Sequence, residues 1–252
     1  MQRELIWKKK LIITPKESNE NNSQYAYRIL YHNLMRLVLY PGLKLNEGAL
    51  TAALGISSTP FRQALFRLRE EGLIDIRSQS GTTVSFIDYN LLQENIFIRA
   101  TLETGVIEQL CEEGLSDVYR ERIQENLNIQ SMFAENHERK DRFFELDNEF
   151  HKLLFEAAGK QWTYISMCKS CAQLDRLRYA NAFSEQTDKH ASSPFFYMDH
   201  KDLFETILRK NCSHISERIM IHLYGGKSKL RFPSHLLQYI INYPDDPGLI
   251  IQ

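Results

Sequence analysis

The stretch that most restricts how this chain can fold is Asn46 to Gly72, "NEGALTAALGISSTPFRQALFRLREEG". Asn46 is placed to cap a short helix, "EGALTAAL", whose apolar face is Leu50, Ala53 and Leu54. Gly55 ends that helix, Ile56 fills the turn, and Ser57 is placed to cap a third helix. Pro60 is tolerated in the first turn, where the backbone amides have no helical acceptor to lose. Two helices joined by a short glycine-containing turn are the helix-turn-helix plan. Upstream, "SQYAYRILYHNLMRLVLY" sets Tyr27, Leu30, Leu34, Leu37 and Val38 on one helical stripe, and Pro41-Gly42 makes a turn. Downstream, "LIDIR" and "TTVSFI" read as strands of a hairpin closed by "SQSG". Helix, helix-turn-helix, then hairpin is a winged helix, and in that architecture the start of the third helix meets base edges in the major groove.

Charge is divided to match. Residues 1–88 hold twelve Lys and Arg against eight acids, a net +4, and the remaining 164 hold nineteen against twenty-four, a net −5. A basic front on an acidic body suits a polyanion partner for the front only. No run approaches the roughly 20 apolar residues of a membrane span, and Leu11–Ile13 is too short for a secretory signal. A cytoplasmic protein is expected, and its four cysteines are expected reduced. Cys168 and Cys171 read as thiols lining a helical core rather than a redox or zinc pair, and Cys111 and Cys212 as small apolar fillers.

The spaced features of residues 25 to 87 are the Pro-Gly turn, Leu45, Glu47, Leu50, "LGIS", "TP", Arg62, "AL", "RL", "GLI" and the wing-tip Gly81. Together they resemble the DNA-binding domain of the GntR family of bacterial regulators. The chain departs from that pattern twice, with Ser58 and Gly48 where the family usually has arginines. An arginine gripping guanine bidentately gives about 1–3 kcal/mol of discrimination, so base reading here is weakened or re-aimed. The resemblance implies DNA contact from Ser57, Ser58, Thr59 and Arg62 at the helix start, Arg67 further along, and Gly81 and Thr82 in the wing. For Arg62 the plain alternative is a solvated helix arginine, and for Arg67 an ordinary surface position.

From Asp88 to Tyr224 no strand alternation appears, and the apolar spacing gives an all-α bundle of about six helices. Asp147 and His151 lie four apart, on one face of a helix. His200 and His222 are each 11 residues from Asn211, so an antiparallel hairpin turning there brings them level. One carboxylate and three imidazoles suit zinc first, with nickel or manganese as alternatives. Spacing alone leaves a metal site and ordinary hydrogen-bonded core histidines equally open.

"ELDNEFHKLLFEAAGKQ" and "DHKDLFETILRKNCSHISERIMIHL" resemble the FCD effector domain found in one GntR branch. That resemblance implies a metal held by Asp147, His151, His200 and His222, and a small carboxylate effector such as a sugar acid or organic acid. Arg99 matches the family's arginine on the first effector helix, with a salt bridge to Glu103 as the competing reading, while Arg176 and Arg178 line the pocket or lie on the surface. The expected organisation is an extension (1–22), a winged helix-turn-helix (23–87), an FCD-like domain (88–226) and a tail (227–252) with a short helix from Ser234, strapped to the bundle or a dimer. The expected function is a ligand-responsive DNA-binding regulator, a homodimeric repressor on a palindromic operator, with no membrane partner and no enzymatic activity. Its rivals are a metalloregulator sensing the ion itself, a metal-dependent hydrolase fused to a DNA-binding head, and an architectural DNA binder. Glu149, turned away from the Asp147 face by the helical period, counts against the hydrolase.

Overall fold

The computed structural model describes residues 11–134, 140–182, 193–224, 232 and 234–243. The first ten residues of the expected extension and much of the expected tail lie outside them. Two compact units result: 11–92 with 172–180 and 235–243, and 93–171 with 181–234, in each case over the described residues.

In the first unit α1 spans Asn22–Met35, with Asn21 and Gln24 forming a capping box. The expected stripe runs past its end. The helix stops because Leu37 takes φ 55°, and the amide of Leu39 turns back onto the carbonyl of Asn33. Asn33, buried in α1, pairs with the main chain of Ile12 in both directions, donating at 2.8 Å and accepting at 2.8 Å. The extension is thereby fastened to α1. Strand β1 (Lys44–Leu45) leads to α2 (Glu47–Leu54), which Asn46 caps through the Ala49 amide. Gly55 at φ 65° ends α2, a conformation that a β-carbon disfavours. Leu50 and Leu54 of α2 are buried, whereas Ala53 is exposed. Helix α3 (Ser58–Glu70) packs on α1, with Phe61, Leu65 and Leu68 buried from one helix and Ile29, Leu30 and Leu34 from the other. Each such side chain contributes about 1.5–3 kcal/mol.

The wing pairs β2 (Ile74–Arg77) with β3 (Gly81–Val84), antiparallel, from Ile74 opposite Val84 to Arg77 opposite Gly81. Strand β1 adds to the other side of β3, making three strands where the sequence suggested two. The tail differs from expectation too. Its short helix is a 3-10 turn, Ser234–Tyr239, followed by β5 (Ile240–Ile241), which runs parallel to β4 (Ile87–Asp88) within the first unit rather than strapping the bundle.

Seven helices rather than six lie over the described residues of 88–226, and apart from residues 89–92 and 172–180 they make up the second unit. They are α4 (Tyr89–Glu113), α5 (Asp117–Phe133), α6 (Lys140–Ala157), α7 (Gln161–Ser170), α8 (Ala172–Ala182), α9 (Ser193–Leu208) and α10 (Ile215–Leu223). The extra helix arises because the segment from Gln161 breaks at Cys171, at φ −101° and ψ 15°, and residues 172–180 of α8 belong to the first unit. Helix α5 packs along α6, and α9 against both.

One expectation about the cysteines fails outright. Cys111 and Cys212 form a disulfide between Cα atoms 6.5 Å apart, closing 101 residues. Nothing in either local sequence signals it, because each cysteine sits on an apolar position that a filler would also occupy. Cys168 and Cys171, half-buried and buried, form no disulfide.

Candidate metal centre and nucleic-acid interface

In the second unit, α6 supplies Asp147 and His151, α9 supplies His200 and α10 supplies His222, all four buried. One donor atom from each lies within 4.8 Å of the others. The Nε2 atoms of His151 and His222 are 3.1 Å apart, and Nε2 of His200 is 3.4 Å from Oδ1 of Asp147. Phe150 stacks on His200 at 4.3 Å and fixes its ring plane.

The outward nitrogens explain this convergence. Nδ1 of His151 faces Oε2 of Glu103 at 3.2 Å, Nδ1 of His200 faces Oε1 of Gln130 at 2.9 Å, and Nδ1 of His222 faces Oδ2 of Asp199 at 2.5 Å. Gln130 commits its amide nitrogen to Oδ1 of Asn126 at 2.7 Å, so its oxygen is the atom left for His200. His200 and His222 therefore donate from Nδ1 and turn Nε2 inward, the second-layer arrangement by which proteins orient metal-binding histidines, while Nδ1 of His151 faces Glu103 across an ion-pair distance without hydrogen-bond alignment. Burial pushes His151 below the ordinary imidazole range, against the pull of Glu103. Nε2 of His151 and Nε2 of His222 stand at hydrogen-bonding distance, 3.1 Å, so a proton on one of them occupies the place a cation would take. The donor set thus fits a divalent transition metal.

Glu103 links this centre to Arg99. Nε and Nη2 of Arg99 both reach Oε1 of Glu103 at 2.7 Å, so the structure forms the i,i+4 pair weighed from sequence. Burial pushes the Glu103 carboxyl up, but Arg99 and His151 outweigh it and hold the group below the usual carboxylate range. Sequence reading missed Gln130 and Asp199 as partners. Asn126 and Gln130, polar at i,i+4 on the buried face of α5, were the available signal.

Arg176 and Arg178 fall in the other unit. Arg178 pairs with Asp175 at 2.9 Å. Nη2 of buried Arg176 donates to Gln173, which in turn donates to the Gly72 carbonyl, and burial pushes the guanidinium down to about 9. Glu149 is exposed and accepts from Asn126 at 3.4 Å.

In the first unit Ser57, Ser58, Thr59 and Arg62 cluster, exposed, at the start of α3. Ser57 has the extended backbone of an N-cap, yet its hydroxyl makes no capping bond, contrary to expectation. Early amides of α3 therefore lack that internal partner, which leaves a donor surface suited to phosphate. Arg62 projects with its side chain 75% exposed, its Nε 3.7 Å from Glu47. Arg67 lies elsewhere, its guanidinium 3.9 Å over the Tyr27 ring. Gly81 stands at the wing turn with φ 84°. Thr82 is only 1% exposed and donates to Oε1 of Glu47 at 3.0 Å, so its side chain braces the wing against α2 rather than facing outward.

A winged helix with an exposed recognition helix, ahead of an all-helical unit, defines a DNA-binding transcriptional regulator. Residues 22–84 match the family described as bacterial regulatory proteins, gntR family, and residues 94–225 match the FCD domain. The chain belongs to the gntR family, in the branch that carries an FCD domain. The HTH-type transcriptional repressor RspR of Escherichia coli (strain K12) is 29% identical over 210 residues, covering 83% of this chain and 89% of that protein. The Nta operon transcriptional regulator of Aminobacter aminovorans is 30% identical over 115 residues, covering 44% and 51%. Among solved structures, E. coli McbR/YncC reaches a TM-score of 0.65 over 81% of this chain and 98% of its own, at 18% identity. A GntR regulator from Rhodococcus sp. RHA1 reaches 0.61 over 80% and 93%, also at 18% identity. These families and relatives are regulators, not enzymes. No helix among the described residues is long and apolar enough to cross a membrane.

Proposed function

We propose that this regulator binds a palindromic operator as a homodimer and adjusts that binding to a small carboxylate captured at a divalent metal. Asp147, His151, His200 and His222 hold the ion, zinc before nickel or manganese. The observation that carries this reading is the inward turn of three Nε2 atoms, with Gln130 and Asp199 on Nδ1 of His200 and His222 and Glu103 facing Nδ1 of His151. When bound, the ion supplies positive charge that attracts a carboxylate. Arg99 offers a second cation, and a ligand carboxylate competes with Glu103 for it. At the DNA, Ser57, Ser58, Thr59 and the first amides of α3 hold phosphate, while Arg62 reads a base edge. Gly81 brings the wing tip close to the backbone of the duplex. The name of the Escherichia coli relative, a repressor, supports repression as the sign of control.

The prior engagement of Arg99 by Glu103 favours a second reading, in which the ion alone is the signal. One experiment tests both. Wild-type protein and His200→Ala are desalted, their zinc is measured by mass spectrometry, and DNA selected by the wild type from a random pool is titrated with and without citrate. The wild type is expected to retain one zinc per chain and His200→Ala almost none, and citrate is expected to shift DNA affinity about 5–150-fold, the usual range of coupling. Zinc retained by His200→Ala ends the metal reading. Affinity that follows zinc and ignores a panel of small carboxylates moves the assignment to the metalloregulator.

A further inference from the structure

We propose that Cys111 and Cys212 are a thiol–disulfide exchange site whose reactant is a low-molecular-weight disulfide, and that oxidation of the pair tightens the four-residue centre. The second half rests on the metal reading above. Cys111 lies in the last turns of α4, and Cys212 in the connection from α9 to α10. Helix α4 also carries Arg99 and Glu103, and Glu103 orients His151. The connection joins the two helices that carry His200 and His222. One covalent bond thus ties the helix that aims one ligand to the hairpin that carries two others.

The connection is a segment that gives when untied. Lys210 at φ 54° and His214 at φ 60° both take the left-handed conformation that non-glycine residues disfavour, one on each side of Cys212. The reduced state is provided for as well. Sγ of Cys111 lies 3.9 Å from the Thr206 carbonyl and Sγ of Cys212 lies 3.7 Å from the Ile107 carbonyl, so each thiol has an acceptor already in place. Each sulfur therefore keeps a polar neighbour once the bond is cut and the two sulfurs draw apart. The hairpin also keeps its own clasp when reduced. Arg218 donates to the Thr206 hydroxyl at 2.6 Å and pairs with Asp202, so reduction loosens the hairpin and does not dismantle it.

Cys111 is buried and Cys212 half-buried, which makes Cys212 the entry point. In oxidation the Cys212 thiolate attacks the small disulfide, forms a mixed disulfide and expels one small thiolate. The Cys111 thiolate then attacks Cys212 Sγ and expels the second. Two protein thiols and one small disulfide become one protein disulfide and two small thiols, with two electrons passing to the small molecule. Reduction is the reverse, with an external thiolate attacking Cys212 and Cys111 leaving.

The test equilibrates the full chain across ratios of reduced to oxidised glutathione and removes the glutathione. The 111–212 cross-link is then read by peptide mass spectrometry, with Cys168→Ser/Cys171→Ser as the control for the other thiols. Zinc affinity is measured against a competing chelator in both forms. The oxidised form is expected to bind zinc roughly tenfold more tightly, within the range of coupling between sites. The Cys111→Ser/Cys212→Ser variant should match the reduced wild type at every ratio. Absence of the cross-link, or zinc bound by both wild-type forms with equal affinity, overturns the proposal, and neither result needs a variant that folds. Hydrogen exchange at residues 209–214 of the metal-free protein separates the two readings. Slower exchange in the oxidised form upholds the tether even where zinc binds neither form, an outcome that ends the metal reading alone. Equal exchange overturns the tether.

Discussion

Polar side chains gather at two places in this chain, and the two are built in opposite ways. At the start of α3, Ser57, Ser58, Thr59 and Arg62 stand in solvent, and the Ser57 hydroxyl leaves the helix uncapped. At the four-residue centre every ligand is buried, and each histidine is held from behind by Glu103, Gln130 or Asp199. The first place can accommodate a long, hydrated polyanion whose position varies. The second holds its donor atoms within 4.8 Å of one another on buried, braced side chains. Adaptability and preorganisation are thus separated into different units of one chain.

Removing the support behind the buried site should cost most. Glu103→Ala strands Arg99 in a buried setting and is expected to lower stability by about 3–5 kcal/mol in urea unfolding of the second unit. A loss under about 1 kcal/mol would break the contrast between the two places. Next comes removal of the ion. With free zinc at 100 times its dissociation constant, the wild type should gain about 2.7 kcal/mol over the chelated protein, and His200→Ala should gain nothing. Arg62→Ala tests the exposed place. Its affinity for the selected operator should fall by about 1–3 kcal/mol more than its affinity for random DNA, and equal losses would reduce Arg62 to a phosphate contact.

The smallest effect concerns a half-buried pair. The hydrogen bond from Arg28 holds the Glu20 carboxyl down to about 2, against an ordinary 4.5. A depressed carboxyl stabilises the fold above its unfolded value and loses that contribution as pH falls toward the folded one. Arg28 also holds Thr14 and the Pro15 carbonyl. Exchange of the Ile12 amide, once corrected for the intrinsic rate, should therefore quicken as pH drops below about 4.5, and Glu20→Gln should show the quicker exchange at every pH.

Much of the first unit was legible because its signals are local. The Asn46 cap, the Gly55 stop and the hairpin turn each act within a few residues, and α2 begins and ends where they place it. The stripe on α1 misled at Leu37, where a tertiary constraint set a backbone angle that propensity opposes. Strands β1 and β5, two residues each, carry no periodicity to read. In the second unit Asp147 and His151 announced themselves by helical spacing, whereas Gln130 and Asp199 did not, since buried amides and carboxylates look like surface ones until the packing is known.

The sequence by itself determined the winged helix and the helical bundle that follows it, because short-range periodicity and caps decide where helices lie, while the meeting of Asp147, His151, His200 and His222 was implied only by the family resemblance. Only the tertiary structure decided which nitrogen each histidine turns inward, what holds Arg99, where the tail pairs, and that Cys111 meets Cys212 across 101 residues. Those depend on distances between segments remote in the chain, and no local propensity encodes them.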